Sequence, residues 1–308
     1  MASDNPTQEL DHLDALWFQV AGTLCNLRCK HCFISCSPEN HTLGMMTFDQ
    51  FLPHLQDGVQ LGVKEFYFTG GEPFANPELL KILEATLQVG PATVLTNATL
   101  FSSQVVRQLA SMRDASVYSL ELRVSLDGFS PERNDPIRGP GTFKRIMRGI
   151  KLLLDEGFLP IITAMRSWPI ERDEAELAEF NTSLTDIGYR YPRIKLLPSL
   201  KIGQEALRDH GYSDHEYITK SMMVGYDSSQ LICSNSRIVS ARGVHVCPIL
   251  VDQPDSLLGP RLSSAKKSFE LRYQACMTCY QYGALCSNAS SAGVNLETMR
   301  LSRSRPKD

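Results

Sequence analysis

Between residues 15 and 200 the chain alternates two hydrophobic rhythms. Short runs dense in β-branched and aromatic residues read as buried strands: LWFQVAG (16–22), EFYFTG (65–70), ATVLTN (92–97), LELRVSLD (120–127), LPIITAM (159–165) and RIKLLPS (193–199). Longer stretches of helical periodicity fall between them, at 47–61, 77–89, 102–112, 141–156 and 171–187. Thr47 and Ser102 stand where they can N-cap, and Gly157 and Gly188 where they can close a C-terminus. Strands alternating with helices imply parallel strands joined by crossovers. Six strands and five intervening helices are too few for a closed eight-unit barrel, so the expected fold is α/β, an open, partial TIM-like (β/α)6 barrel. After residue 200 the rhythm stops, and polar segments, short strands such as RIVSARGVHVCP and cysteines take over. The expected organisation is an N-terminal tail (1–14), a barrel (15–200) and a small metal-stapled C-terminal domain (201–308). No internal repeat is visible, and the tail RLSRSRPKD reads as a solvated end.

A chain of 308 residues is long enough to bury a sizeable core in one large domain plus a smaller one. Charged residues make up 21% and the net charge is -3, so no global field argues for nucleic acid or a membrane surface. The acidic start, MASDNPTQELDHLDALW, lacks the basic and apolar regions of a signal peptide, and no segment reaches about 18 apolar residues. A cytoplasmic protein with neither a nucleic-acid nor a membrane partner is expected. In that compartment nine cysteines point to metal binding or catalysis rather than disulfides. They are also clustered, four between Cys25 and Cys36 and five from Cys233 to Cys286.

Cys25, Cys29 and Cys32 follow the first strand with the spacing Cys-x3-Cys-x2-Cys, at the mouth of the barrel where active sites gather. Three thiolates on one loop can hold three corners of a four-iron four-sulfur cluster and leave one iron open to a ligand. A zinc loop completed by Cys36 or His31 is the alternative. This triplet, followed on later strand ends by TGGEP, TNATL and SLDG, resembles the radical S-adenosylmethionine (SAM) enzymes across about residues 15–200.

The resemblance implies that Cys25, Cys29 and Cys32 carry a 4Fe-4S cluster whose open iron chelates SAM. Gly70, Gly71 and Glu72 match the motif that holds the amino group of SAM. Asn97 and Ser125 match positions that contact its ribose or carboxylate, and Arg138 is a further carboxylate contact. Ala98 stands where the family commonly has glycine, which leaves that turn open. His31 occupies a position often near the adenine, or else packs. The chemistry implied is reductive cleavage of SAM to a 5′-deoxyadenosyl radical that takes hydrogen from the substrate, fed by a low-potential donor of the flavodoxin or ferredoxin type.

Cys233 and Cys247 flank a hairpin turning near Arg242 and Gly243, and CMTCYQYGALC supplies Cys276, Cys279 and Cys286. Two distant pairs converging on one metal would explain how a loop-rich region folds, with zinc as one candidate. The arrangement resembles the auxiliary-cluster domains called SPASM and twitch. It departs from the SPASM pattern: three residues separate Gly243 from Cys247, six separate Cys279 from Cys286, and later cysteines are absent. One auxiliary 4Fe-4S cluster is therefore implied, on Cys233, Cys247, Cys276 and Cys279, with Cys286 able to replace one of them. Cys36 has no assigned role beyond a buried thiol or a hydrogen donor.

The expected function is radical chemistry on a small molecule, assisted by the auxiliary cluster. The alternatives are a peptide-modifying enzyme of maturase or thioether-forming type and, third, a non-enzymatic iron–sulfur or zinc module. Gln19, Tyr67, Arg123, Arg166 and the 200–230 segment are expected to shape the substrate site.

Overall fold

The computed structural model describes residues 4–283. After a two-residue strand, β1 (Thr7–Gln8), the chain enters β2 (Ala15–Gln19) and then alternates. The order is α1 (Phe48–Gln60), β3 (Glu65–Thr69), α2 (Leu79–Thr86), β4 (Ala92–Thr96), α3 (Ser103–Ala115), β5 (Leu120–Ser125), α4 (Pro131–Arg138), α5 (Thr142–Asp155), β6 (Ile161–Met165), α6 (Asp173–Asp186) and β7 (Arg193–Leu197). A short helix, α7 (Gln204–Arg208), precedes β8 (Ser236–Ser240), β9 (Gly243–His245), β10 (Leu257–Gly259), β11 (Phe269–Glu270) and α8 (Ala275–Tyr282).

The six expected strands pair in parallel, from β2 to β7 in chain order. The sheet runs on past residue 200: β8 adds in parallel to the other edge of β2, and β9 and β10 follow antiparallel, giving nine strands. The β8–β9 hairpin turns where Arg242 and Gly243 were expected to turn it.

Strand residues alternate between two environments. Leu16, Phe18, Phe66, Phe68, Val94, Leu122, Val124, Ile162 and Ile194 pack under the helices in the main core. The opposite parity, including Trp17, Leu95, Arg123, Ser125, Thr163 and Leu197, lines a cavity inside the curved sheet. A second apolar cluster gathers Ile218, Leu231, Val246, Ile249, Leu250 and Leu271 with Cys233, Cys247 and Cys279. β1 pairs antiparallel with β11, tying the N-terminal segment to this second cluster.

Local chemistry sets the boundaries. Thr47 accepts from the Gln50 amide in a full capping box, and Ser102 accepts from the Val105 amide. β2 stops at Gln19, earlier than expected, because Gln19 Nε2 and the Gly22 amide close a turn there. The expectation missed α4, whose PERNDPIR sequence contains two prolines: Pro131 sits at a helix start and Pro136 within the helix. It also missed α8. Among the described residues no helix is long and apolar enough to cross a membrane.

Candidate active site

The loop that follows β2 is held against the end of β3. The Gly71 amide donates to the Gly22 carbonyl (3.0 Å) and the Glu72 amide to the Leu24 carbonyl (3.1 Å). A Cβ at Gly71 would overlap the Leu24 carbonyl and press on Cys25. Gly70 has φ +140, and a Cβ there would stand 2.8 Å from the Ala21 amide. The glycine pair thus fixes how closely the cysteine loop approaches β3.

Cys25, Cys29 and Cys32 line one cavity of about 260 Å³ together with Gly70, Gly71, Asn97, Ser125 and Arg138. Each sulfur faces an N–H donor. The Leu27 amide lies 3.4 Å and Asn97 Nδ2 3.8 Å from Cys25 Sγ, Arg138 Nη1 lies 3.9 Å from Cys29 Sγ, and the Cys36 amide lies 3.2 Å from Cys32 Sγ. Burial pushes the Cys25 thiol up to about 12 and Cys29 up to about 11. A hydrogen bond from Cys36 brings Cys32 down to about 6, and the same bond, with burial, raises Cys36. Thiols this buried release their protons when a cationic centre takes them as ligands, and the N–H donors suit thiolates.

Among the described residues no three His, Cys, Asp or Glu side chains gather tightly enough to hold a single metal ion. The three thiols surround a space instead of meeting at a point, which suits a polynuclear cluster better than one zinc with sulfurs at about 2.3 Å. The donor set and the cavity therefore fit the cluster that the motif implies.

The remaining motif residues divide. Asn97 Oδ1 accepts from Thr99, and its Nδ2 reaches Asn26 as well as Cys25, so it ties the β4 turn to the cysteine loop. Ala98 takes φ +56, so the left-handed turn that commonly uses glycine is kept with alanine in it. Glu72 is 0% exposed and is not on the cavity wall. Its carboxylate accepts from Thr96 Oγ1 (2.6 Å) and from the amides of Asn97 (2.7 Å) and Phe74 (3.1 Å). Burial raises it to about 7 against these bonds.

Arg138, at the end of α4, has Nε 2.6 Å from Asp127 Oδ2, and His31 Nε2 lies 2.6 Å from the same oxygen. Burial would raise the Asp127 carboxyl, but Arg138 and His31 outweigh it and hold the group below the usual carboxylate range. His31 Nδ1 is buried and has no partner among the described residues. Asp127 lies in the SLDG motif; only the fold shows that it anchors Arg138. Of the residues expected to shape the substrate site, Arg123 lines the cavity, while Tyr67 stacks on Trp17 beside it. Gln19 is spent on the Gly22 turn, and Arg166 is gripped by Asp173 at 2.8 and 2.9 Å instead of lining the cavity. Trp17 and Thr163 on the wall were not expected.

Cys233, Cys247, Cys276 and Cys279 come together around a second, small cavity of about 20 Å³. Cys276 and Cys279 are one turn apart on α8, which puts both on the same side. Burial pushes Cys233 up to about 11 and Cys276 well above a normal thiol. Cys286 lies outside the described residues. Ile249 lines both cavities, so the two cysteine groups share a wall. Arg237, which no pattern along the chain announced, is 0% exposed and donates to the carbonyls of Cys233, Ser236, Val246, Ala265 and Lys267.

Several known proteins are similar to this chain. An S-adenosylmethionine-dependent heme synthase of Methanosarcina barkeri is 34% identical over 144 residues, 46% of this chain and 39% of that protein. The subtilosin biosynthesis protein AlbA of Bacillus subtilis is 30% identical over 166 residues, 53% of this chain and 35% of that protein. The chain thus spans well under half the length of these curated relatives. Among solved structures, anSMEcpe with bound S-adenosylmethionine covers 82% of this chain and 76% of its own at a TM-score of 0.59 and 16% identity. Streptococcus suis SuiB bound to its precursor peptide SuiA covers 80% of this chain and 62% of its own, with a TM-score of 0.58 and 16% identity. These likenesses establish the partial-barrel fold. The model of the radical SAM superfamily matches residues 20–180, just over half of the chain, and the chain belongs to that superfamily.

Proposed function

We propose that this chain is a radical SAM enzyme, with Cys25, Cys29 and Cys32 holding the SAM-binding 4Fe-4S cluster. The observation that carries this reading is the single cavity in which those three thiols, each facing an N–H donor, meet Gly70, Gly71, Asn97, Ser125 and Arg138. Bound there, the cluster and SAM would supply one-electron chemistry able to take a hydrogen atom from a substrate.

The chain's own groups position and exclude. Gly70 and Gly71 leave backbone open to the ligand, and Ser125 offers a hydroxyl on the cavity wall. Arg138, fixed by Asp127, presents a guanidinium that can take a carboxylate. Glu72 acts from behind, holding the Asn97 turn. The apolar wall, including Leu27, Ile34 and Leu197, keeps out water and other hydrogen donors.

For the C-terminal region, 201–308, we propose a twitch-like or SPASM-like domain with one auxiliary 4Fe-4S cluster on Cys233, Cys247, Cys276 and Cys279, beside a barrel of residues 15–200. The convergence of these thiols on one cavity supports this. A low-potential donor of flavodoxin or ferredoxin type and a cytoplasmic setting complete the reading. A small-molecule substrate is the first choice, in keeping with the heme synthase likeness. A peptide substrate is the second, favoured by the likeness to AlbA and to the mycofactocin maturase MftC, 28% identical over 176 residues.

Anaerobic reconstitution is expected to load about eight irons per chain, and replacing Cys25, Cys29 and Cys32 together with alanine to halve that. Dithionite with SAM is expected to yield 5′-deoxyadenosine, and SAM alone to change the spectrum of the first cluster. A loaded chain whose spectrum ignores SAM would refute the reading, and stoichiometric zinc in the C-terminal site would refute the auxiliary cluster.

A further inference from the structure

Trp17 Nε1 and Thr163 Oγ1 in the cavity wall have no partner among the described residues, and neither does His31 Nδ1 on the cysteine loop. Trp17 is 2% exposed, so its indole N–H lies away from bulk solvent. A further polar group on the wall is the guanidinium of Arg123, also 2% exposed. Arg123 lies two residues before Ser125 on β5, about 6–7 Å deeper in the barrel than the groups assigned to SAM. Thr163 stands beside Ser125 in the sheet register.

The balance of charge at this depth is positive. Asp127 is the only carboxylate among the described lining residues, and Arg138 already pairs with it. Below Arg123, Glu121 is bonded to Arg193 at 2.8 Å and also interacts with Arg123. Buried Lys195 shares the face of β7 that carries Arg193 and Leu197, while Glu65 on β3 is exposed. Indole N–H and guanidinium groups can only donate, and their natural complement is an acceptor-only carboxylate. Elsewhere the wall carries apolar side chains, including Leu27, Ile34, Leu95, Met165 and Leu197. Trp17 and Tyr67 stack with centroids 4.3 Å apart and planes 10° apart, a stiff flat surface.

We propose that the substrate is a carboxylic acid with an apolar body, its carboxylate held on the cavity wall among Arg123, Trp17 Nε1 and Thr163 Oγ1. This rests on the radical SAM reading of the cavity. The carboxylate belongs to a free small acid or to the acidic side chain of a peptide.

Calorimetric titration of the reconstituted full chain, already saturated with SAM, separates the two. One pair of probes is phenylacetate and phenylacetamide; the other is a short peptide carrying Glu and the same peptide carrying Gln. In one pair the acid is expected to bind about tenfold or more tighter than the amide, and the pair that discriminates names the source. Trp17→Phe and Thr163→Val each weaken that acid by about tenfold, and Arg123→Met weakens it further; the two conservative variants carry the test if the arginine variant does not fold. Equal binding of acid and amide in both pairs, or no binding of either acid at tens of millimolar, overturns the proposal. The spectral change caused by SAM is read in the same samples. Where it is present without a preference for the acid, the carboxylate inference alone fails; where it is absent, the radical SAM reading fails with it.

Discussion

Glu72 shows how a motif residue can serve a site without facing it. Its carboxyl is enclosed by Thr96 Oγ1 and by the amides of Phe74 and Asn97. Burial raises it from 4.5 to about 7, so its ionisation weighs against folding. The stability it contributes is complete below about 4.5 and is lost as pH rises to about 7, up to about 3 kcal/mol in all. Urea melts are therefore expected to show the native chain losing stability relative to Glu72→Gln between about pH 5 and about pH 8. Arg237 is the opposite case, a buried cation satisfied by five carbonyls around the second cysteine group. Lysine keeps the charge but not the planar fork. Arg237→Lys is expected to cost about 2–3 kcal/mol in a denaturant melt and to lower iron retention in the C-terminal site.

At the scale of elements, the site depends on how closely loops and helices approach strand ends. Gly71 sits where any Cβ would strike the Leu24 carbonyl. Gly71→Ala is expected to destabilise the chain by about 1–3 kcal/mol, and iron analysis after reconstitution should show the loss falling on the first cluster. α5 uses the same device, because Gly149 packs directly on the Ala98 carbonyl at the β4 turn. α4 was invisible to periodicity because its prolines and polar residues leave no apolar stripe, yet it delivers Arg138 to Asp127. The five expected helices, α1, α2, α3, α5 and α6, were legible because a helix packed on a sheet buries an apolar face, which writes a period of 3.6 into the chain.

At the scale of the whole molecule, the two cysteine groups belong to one connected body. β8 pairs directly with β2, the strand that leads into the first cysteine loop, and Ile249 stands between the two cavities. The N-terminal segment closes the structure through β1–β11 and through Lys220 and Leu271 amides donating to Asp4 and Pro6. Removing residues 4–9 is expected to spare the first cluster and to loosen the second, seen as faster release of about half the iron to a chelator.

By itself the sequence determined the order of the six parallel strands and of five helices between them, the three-cysteine loop, the glycine pair and a second cysteine group of Cys233, Cys247, Cys276 and Cys279, with Cys286 able to replace one of them. These are local matters of spacing, periodicity and side-chain chemistry. Tertiary structure alone decided that Glu72 is buried against Thr96 and the Asn97 amide, that Asp127 anchors Arg138, that Arg166 is taken by Asp173, and that Trp17, Arg123 and Thr163 line one cavity. Those pairings join residues on different strands and helices, and no pattern along one stretch of chain can announce which side chain on another element will arrive beside it.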